Sequence, residues 1–132
     1  TREGKYEANI AKILASYKGP VAVMSFDPYC VAAFREVAPE LPRGLIGERF
    51  DDERYWSQLT LWQRLAMRNL LTSAFARPHF IAYDIQALPA LAPLIARYLF
   101  GLPLLTWTVR TKEERERALR YADAMIFEGI VP

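Results

Sequence analysis

The stretch Pro103 to Gly129, PLLTWTVRTKEERERALRYADAMIFEG, decides the fold, because it predicts a strand, a helix and a second strand in succession. The short apolar and β-branched run 104–109 has the length of a buried strand. Thr111 and Glu114 have the spacing of a capping box, which predicts that a helix begins there. The apolar run 124–127 predicts the second strand. Two strands joined by a crossover helix form a parallel βαβ unit.

The same alternation of strands and helices extends toward the N-terminus. We predict helices over 3–17, 28–37, 57–76 and 88–100, and strands over 21–26, 43–47 and 80–85. Pro93 predicts that the last of these helices kinks or starts late. The acidic segment 48–55 is predicted to be a loop. Apolar side chains at helical spacing predict the buried face of the first helix, namely Tyr6, Ile10, Ile13, Leu14 and Tyr17.

Length and composition favour one globular domain over residues 1–132. The chain has 132 residues, of which 52% are hydrophobic, enough for one sizeable core. Its net charge is only +2, with acidic and basic residues interspersed, so we expect no nucleic-acid partner. Cys30 is the single cysteine, which excludes an intrachain disulfide, and its apolar setting predicts a buried thiol. No signal-peptide pattern opens the sequence, and we expect a cytoplasmic protein.

One alternative concerns residues 87–107, which carry a single charge at Arg97 and have nearly the length of a membrane span. Pro89, Pro93, Gly101 and Pro103 interrupt this segment where a helix would give way to a strand. We therefore favour a soluble domain over a membrane or interfacial role.

Three ordered matches make the sequence similar to the glycerophosphodiester phosphodiesterase family. The segment LLTWTVRTKEE followed by ADAMIFEG resembles the C-terminal end of that family, which has a W-T-V strand and a last strand with D-x-I-x-[ST]-D or F-E-G. Upstream, GPVAVMSFDP resembles the family's V-x-V-x-S-F strand. The pair RGLIGE and HFIAYDIQALP lies between these two in the expected order. The resemblance implies an α/β fold, the C-terminal half of a (β/α)₈ TIM-type barrel, since a whole barrel takes about 250 residues.

The resemblance also implies a function for the whole protein. The family hydrolyses glycerophosphodiesters to an alcohol and glycerol 3-phosphate, with a divalent cation (Mg²⁺ or Ca²⁺) and acid–base histidines. Its chemical residues lie in H-R-G, E-x-D, H-D and E-x-K motifs, and we expect all four motifs to be missing from this chain. The only histidine, His79, precedes a strand and so lies away from the predicted active face. We therefore expect no catalytic residue and no metal ligand here, and a chain that is inactive alone.

The resemblance implies that this chain contributes part of a substrate pocket. Phe26, in the S-F match, and Trp107, in the W-T-V match, are implied to form an apolar wall for a glycerophosphodiester or another phosphorylated small molecule. Core packing is the alternative for both rings. Active sites of parallel barrels lie at the carboxyl ends of the strands. The polar residues predicted there either serve the site or cap helices and pair with arginines: Asp27, Glu48, Asp84, Arg110 and Glu128.

A half-barrel leaves two sheet edges without partners. We therefore expect the chain to pair with the missing half or with a second copy of itself. Two other functions remain open. One is a non-catalytic binding or regulatory module for a phosphorylated ligand or a partner protein. The other, a sugar-phosphate lyase or isomerase on the same barrel, is disfavoured because the lysines lie in predicted helices and loops.

Overall fold

The computed structural model describes residues 2–129, whose backbone forms one five-stranded sheet with helices between the strands. The strands are β1 Val23–Ser25, β2 Arg43–Gly47, β3 Phe80–Asp84, β4 Leu104–Val109 and β5 Ala124–Phe127. The helices are α1 Arg2–Ala15, α2 Pro28–Val37, α3 Glu53–Trp56, α4 Leu61–Arg68, α5 Ser73–Ala76, α6 Leu91–Tyr98 and α7 Lys112–Tyr121, with a 3₁₀ turn at Ile85–Ala87.

Every strand pair in the sheet is parallel, and the strand order β1-β2-β3-β4-β5 follows the order of the chain. The predicted bounds of β2, β4, β5 and α2 agree with the structure, and β1 and β3 are shorter than predicted. Parallel strands with crossover helices are the arrangement of a TIM barrel wall. The predicted α/β half-barrel is confirmed.

The core lies on the outer face of the sheet, the face that the helices cover. Leu45, Ile81 and Leu104 stand beside one another in the register of β2, β3 and β4, and all three are buried. Each buried aliphatic side chain of this kind contributes about 1.5–3 kcal/mol through removal of apolar surface from water. This row fixes which side chains point to the opposite, inner face.

The inner face is only partly covered. Met24 on β1 and Ile126 on β5 are 45% and 37% exposed, although both belong to apolar strands. In a closed barrel of eight strands this face would point into a packed interior. Strands β1 and β5 are the two edges of the sheet, so each has one side without a neighbouring strand among the described residues.

Helix α7 begins at the predicted capping box. The Thr111 hydroxyl accepts a hydrogen bond from the Glu114 N–H at 3.1 Å, and the Glu114 carboxylate accepts one from the Thr111 N–H at 3.0 Å. Two backbone donors that lack partners within the helix are thereby satisfied. This junction sets the position at which the chain leaves the carboxyl end of β4.

The predicted buried face of α1 is only partly right, since Ile10 and Leu14 are half-buried but the other three side chains are not. Tyr6 and Ile13 are 63% and 70% exposed, and Tyr17 lies beyond the end of the helix and is largely exposed as well. The buried side chain is Glu7, at 2% exposure. Helix α1 packs mainly against α2, and that contact decides which face is covered. Cys30 on α2 is half-buried rather than fully buried, and burial raises the pKa of its thiol to about 11.

In place of the predicted helix over 57–76, the structure has shorter helices. Helix α3 ends at Trp56, and α4 and α5 follow it. A second capping box starts α4, because the Thr60 hydroxyl accepts from the Gln63 N–H at 3.1 Å and the Gln63 side chain accepts from the Thr60 N–H at 2.9 Å. Asn69 caps the end of α4, and Leu70 follows it in the left-handed region, with a φ of 57°. These local features outweigh the helical spacing of the leucines.

The segment 48–55 is also more ordered than predicted. Phe50 is 1% exposed, and Asp52 caps α3 by accepting a hydrogen bond from the Arg54 N–H at 3.0 Å. Helix α6 starts late, at Leu91, as Pro93 predicted. Residues 87–107 therefore include a helix of eight residues and most of strand β4. Within residues 2–129, no helix combines the length and the apolar character needed to cross a membrane.

Candidate functional site at the carboxyl ends of the strands

Four aromatic rings form a cluster where β1, β2 and β4 end. The Phe26 ring lies 5.9 Å from the Trp107 ring and 5.3 Å from the Trp56 ring, measured between centroids, both in edge-to-face geometry. Phe50 packs against Trp56 at 4.9 Å and against Phe26 at 6.1 Å. Edge-to-face pairs at these distances stabilise each other by about 0.5–1.5 kcal/mol beyond burial. The cluster brings the two predicted pocket residues, Phe26 and Trp107, into contact.

Trp107 is held in place by the neighbouring strand. Its indole N–H donates a hydrogen bond to the Ala82 carbonyl at 3.1 Å. The adjacent Thr106, fully buried, donates from its hydroxyl to the Tyr83 carbonyl at 2.8 Å. The register of β4 against β5 shifts between Thr106 and Val109. These hydrogen bonds hold the ring of Trp107 on the inner face of the sheet.

The inner cavity has a volume of about 260 Å³ and lies on the inner face of the sheet. Its lining is almost wholly apolar, with one hydroxyl from Thr108: Met24, Phe26, Ile46, Trp107, Thr108 and Ile126. A cavity of this character suits the carbon skeleton of a small ligand, with polar groups of the ligand directed to the rim.

Glu48 follows β2 and lies beside the aromatic cluster. Its carboxylate accepts a hydrogen bond from the Trp56 indole N–H. Burial raises the pKa of Glu48, and the nearby carboxylate of Asp84 raises it further, whereas the Trp56 bond acts in the opposite direction. The Tyr83 hydroxyl fixes this corner, since it lies 3.2 Å from the Glu48 carbonyl and 2.8 Å from the Arg68 carbonyl.

Asp84 ends β3 on the same rim. Burial raises the pKa of this carboxyl, and the hydrogen bond from the Gln86 N–H, at 3.0 Å, lowers it. That bond caps the 3₁₀ turn after β3. Gly47 pairs with Tyr83 in the register, so Glu48 and Asp84 each follow a paired position. The structure thus places two carboxyl groups with raised pKa values on one rim of the candidate site.

The other three predicted polar residues have structural partners. Asp27 caps α2 by accepting a hydrogen bond from the Tyr29 N–H at 2.9 Å. Arg110 and Glu128 form an exposed ion pair at 3.2 Å, at the ends of β4 and β5. Such exposed pairs contribute at most about 1 kcal/mol. The rim therefore has an aromatic–carboxylate group near β1–β4 and a separate ion pair near β5.

The residues that sequence reasoning missed are Phe50 and Trp56. Both lie in or next to the segment predicted to be a polar loop, and both join the aromatic cluster. The sequence did contain a signal for these two residues. They are large aromatic side chains on either side of an acidic run, where such side chains are expected only if they pack against other residues. Only the packing against Phe26 shows that they belong to the site.

The described residues do not fit a complete cation site. Among residues 6–129, whose side chains the structure describes, no group of three or more His, Cys, Asp or Glu is arranged to hold a metal ion. His79 lies at the amino end of β3, as predicted, where its Nδ1 accepts a hydrogen bond from the Arg43 N–H at 3.1 Å. The expectation that all four family motifs are missing is wrong in one respect, because the E-x-K pattern occurs once, as Glu3-Gly4-Lys5. That triplet lies in helix α1 and not at the end of a strand.

Known structures resemble this chain in fold, although no sequence comparison finds a match. No protein-family model matches the chain, and no curated protein is similar to it at a significant level. A crystal structure of a Silicibacter pomeroyi protein, assigned as a glycerophosphoryl diester phosphodiesterase, is similar with a TM-score of 0.68 and 21% identity. An Oleispira antarctica phosphodiesterase in complex with the product sn-glycerol-3-phosphate is similar with a TM-score of 0.68 and 12% identity.

Both matches cover nearly all of this chain but less than half of the other protein. The match covers 96% of this chain but 41% of the Silicibacter protein, and 95% of this chain but 46% of the Oleispira protein. The chain thus spans less than half the length of either structure. Because the motifs quoted above lie at the C-terminal end of the family, this coverage agrees with the predicted half. The chain has an α/β fold that corresponds to somewhat less than half of the protein in each of these two structures.

Proposed function

We propose that this chain forms the C-terminal half of the catalytic barrel of a glycerophosphodiester phosphodiesterase. The whole protein would hydrolyse a glycerophosphodiester to an alcohol and glycerol 3-phosphate. The observation that carries the proposal is the contact between Phe26 and Trp107 on the inner cavity, with Glu48 and Asp84 on the same rim. Two separate motif matches supply this pair, and the fold brings them together.

In this proposal the chain supplies binding and not bond cleavage. Phe26 and Trp107 hold the carbon skeleton of the glycerol against an apolar wall, which leaves the phosphoryl group at the polar rim. In the family that the chain resembles, hydrolysis uses acid–base histidines and a divalent cation, which would polarise the phosphoryl oxygen. The described residues make no metal site, so no step of the reaction is assigned to them. These groups come from the other half of the barrel, and the chain alone is inactive.

The decisive experiment starts from the protein in its natural source. Intact mass and N-terminal sequencing give its length, and a glycerophosphodiester hydrolysis assay is run with and without EDTA, with the 132-residue chain tested in parallel. A longer protein with EDTA-sensitive activity, and no activity in the chain alone, is the expected result. A native product of 132 residues without activity would contradict the proposal and favour a binding or regulatory module.

The binding role of the chain has a separate test. We expect sn-glycerol 3-phosphate to shift the indole resonance of Trp107 in an NMR titration, and Trp107→Leu to weaken binding by about fivefold or more, since an aromatic contact surface is lost. Phe26→Leu should act in the same direction. Trp62→Leu is the matched control, because Trp62 is 78% exposed on α4. Equal binding by all three variants would contradict the role of the aromatic wall.

A further inference from the structure

A groove lies between α5 and α6, away from the candidate site. Its volume is about 630 Å³, within the range of roughly 300–1,000 Å³ that is usual for small-molecule sites. Most of its lining is apolar and includes Leu71, Leu91, Ile95 and Phe100. The α5–α6 groove shares no lining residue with the inner cavity, so an inference from it does not rest on the proposed function.

The groove arises because α5 is short. Helix α5 leads into β3 and α6 follows β3, so no other unit of the sheet comes between the two helices. Helix α5 has only four residues, and the backbone is left-handed on either side of it, at Leu70 and Arg77, with φ angles of 57° and 46°. It cannot cover α6, which leaves Leu91 and Phe100 75% and 71% exposed.

Arg77 is the single charged residue that lines the groove within the described part of the chain. The two other polar side chains of the lining already have partners. Asn69 donates a hydrogen bond to the Leu65 carbonyl at 2.9 Å, and the Ser73 hydroxyl donates one to the Leu70 carbonyl at 2.6 Å. Among residues 6–129, the guanidinium of Arg77 has neither an ion-pair partner nor a hydrogen-bond partner. A ligand in the groove therefore meets apolar surface and one cation without a counterion.

The part of the fold next to Arg77 is also positively charged. Arg43, 6% exposed, donates a hydrogen bond from Nη2 to the Arg77 carbonyl at 2.8 Å, and its Nε and Nη1 are buried without a partner among the described residues. Burial lowers the pKa of His79, and the charge of Arg43 lowers it further. Arg35 is nearby, with an ion pair to Glu36 at 3.8 Å. The potential at this corner of the groove therefore favours an anion.

We propose that the α5–α6 groove binds an aliphatic carboxylate, such as a fatty-acid anion, with its chain on the apolar lining and its carboxylate at Arg77. A guanidinium donates charge-assisted hydrogen bonds to a carboxylate, and the groove removes the chain from water. A neutral alcohol of the same length gains from burial alone, and an aliphatic cation is repelled by Arg77. Another protein chain on this apolar surface would need no anionic group.

Octanoate, 1-octanol and octylammonium separate recognition of the charge from burial of the chain, since they have the same number of carbon atoms. Each is titrated into the full chain while the methyl resonances of Leu71 and Leu91, near α5 and on α6, are followed by NMR. We expect octanoate to bind at least about threefold more tightly than 1-octanol, and octylammonium to bind more weakly than both. Equal or tighter binding of 1-octanol or octylammonium, or no shift of these methyl resonances with octanoate, would overturn the proposal.

Arg77→Asn tests the role of the charge. Asparagine tolerates the left-handed backbone at this position, so the turn after α5 should be retained. We expect octanoate binding to weaken by about threefold or more and 1-octanol binding to stay within about twofold. Arg120→Asn is the matched control, because Arg120 is an exposed arginine on α7 outside the groove. Equal octanoate binding by these two variants would overturn the proposal.

Ile95→Ser tests the apolar lining. Ile95 is 38% exposed, so the substitution removes apolar surface from the groove and not from the core. We expect octanoate and 1-octanol both to bind about threefold or more weakly, because both bury the same chain. Leu99→Ser is the control, since Leu99 is 74% exposed just after α6 and does not line the groove. Binding of both ligands that is the same in these two variants would place the ligand elsewhere and overturn the proposal.

Discussion

Glu48 and Asp84 are two half-buried carboxyl groups that share one rim of the sheet. Burial raises the pKa of each, and nearby carboxylates add to the effect, since Asp84 acts on Glu48 and Glu114 acts on Asp84. Such groups cost folding free energy when they ionise, and perturbed carboxyl groups of this kind are common at functional sites. Their position beside Phe26 and Trp107 is the residue-scale reason to regard this rim as a site.

The first prediction concerns Glu48→Gln. The pKa of Glu48 is higher in the folded chain than in the unfolded chain, so the folded state holds the proton more tightly. Stability from this group is complete below its unfolded pKa, about 4.3, and is lost as the pH rises through the folded pKa. We expect Glu48→Gln to increase the free energy of unfolding at pH 7, by less than about 1 kcal/mol because solvent screens the site.

Urea unfolding between about pH 3 and pH 8 measures this effect. The amide of the substituted side chain retains an oxygen that can accept the Trp56 hydrogen bond, so the comparison isolates the charge. At the acidic end of the range the variant and the parent chain should have similar stability. Glu36→Gln is the control, since the Glu36 side chain is 75% exposed on α2. A Glu48→Gln variant that is less stable than the parent chain at neutral pH would contradict the prediction.

At the scale of single elements, the second prediction concerns the start of α7. Thr111→Ala removes the hydroxyl that accepts from the Glu114 N–H, so we expect a loss of about 1 kcal/mol in the free energy of unfolding. Thermal unfolding followed by circular dichroism measures the loss. Thr111→Ser keeps the hydroxyl and should retain most of the stability. Equal losses in both variants would show that the hydrogen bond is not the cause.

The third prediction concerns the contact of β2 with β3. A Cβ atom at Gly44 would overlap the ring of Phe80, its partner in the register. We expect Gly44→Ala to reduce the free energy of unfolding by about 1–3 kcal/mol through overpacking. In the background of Phe80→Ala the same substitution should cost much less. Additive losses in this double-mutant cycle, measured by denaturant unfolding, would contradict the proposed clash.

The elements that sequence reasoning predicted well are those with strong local signals. Strand β4 is a continuous apolar run, and Thr111 with Glu114 makes the helix start independent of distant contacts. The failures have tertiary causes. Glu7 is buried because α1 packs on α2, which no periodicity within 3–17 reveals. Trp56 was missed because its role depends on Glu48 and on the Phe26 ring that follows β1.

At the scale of the whole molecule, the open inner face and the two sheet edges favour association. Unpaired strand edges and exposed apolar side chains commonly bind another chain. We propose that the two sheet edges, β1 with the exposed Met24 and β5 with the exposed Ile126, pair with the other half of the barrel or, in its absence, with a second copy of this chain.

The fourth prediction follows from this surface. We expect the isolated chain to associate in light scattering at micromolar concentration, and Ile126→Lys to shift it toward the monomer because a charge would replace an apolar contact. Leu119→Lys is the matched control, since Leu119 is an exposed leucine on the helical layer. A parent chain that is monodisperse and monomeric at high dilution and at high concentration would contradict the proposal.

The strand order has a consequence for how such a chain can change in length. Each strand pairs only with the strands before and after it in the sequence, so the described sheet has no connection that skips a neighbour. A terminal strand and its helix can therefore be added or removed without altering the register of the strands that remain. An architecture of this kind allows a sheet to grow or shrink by one strand and helix at a time.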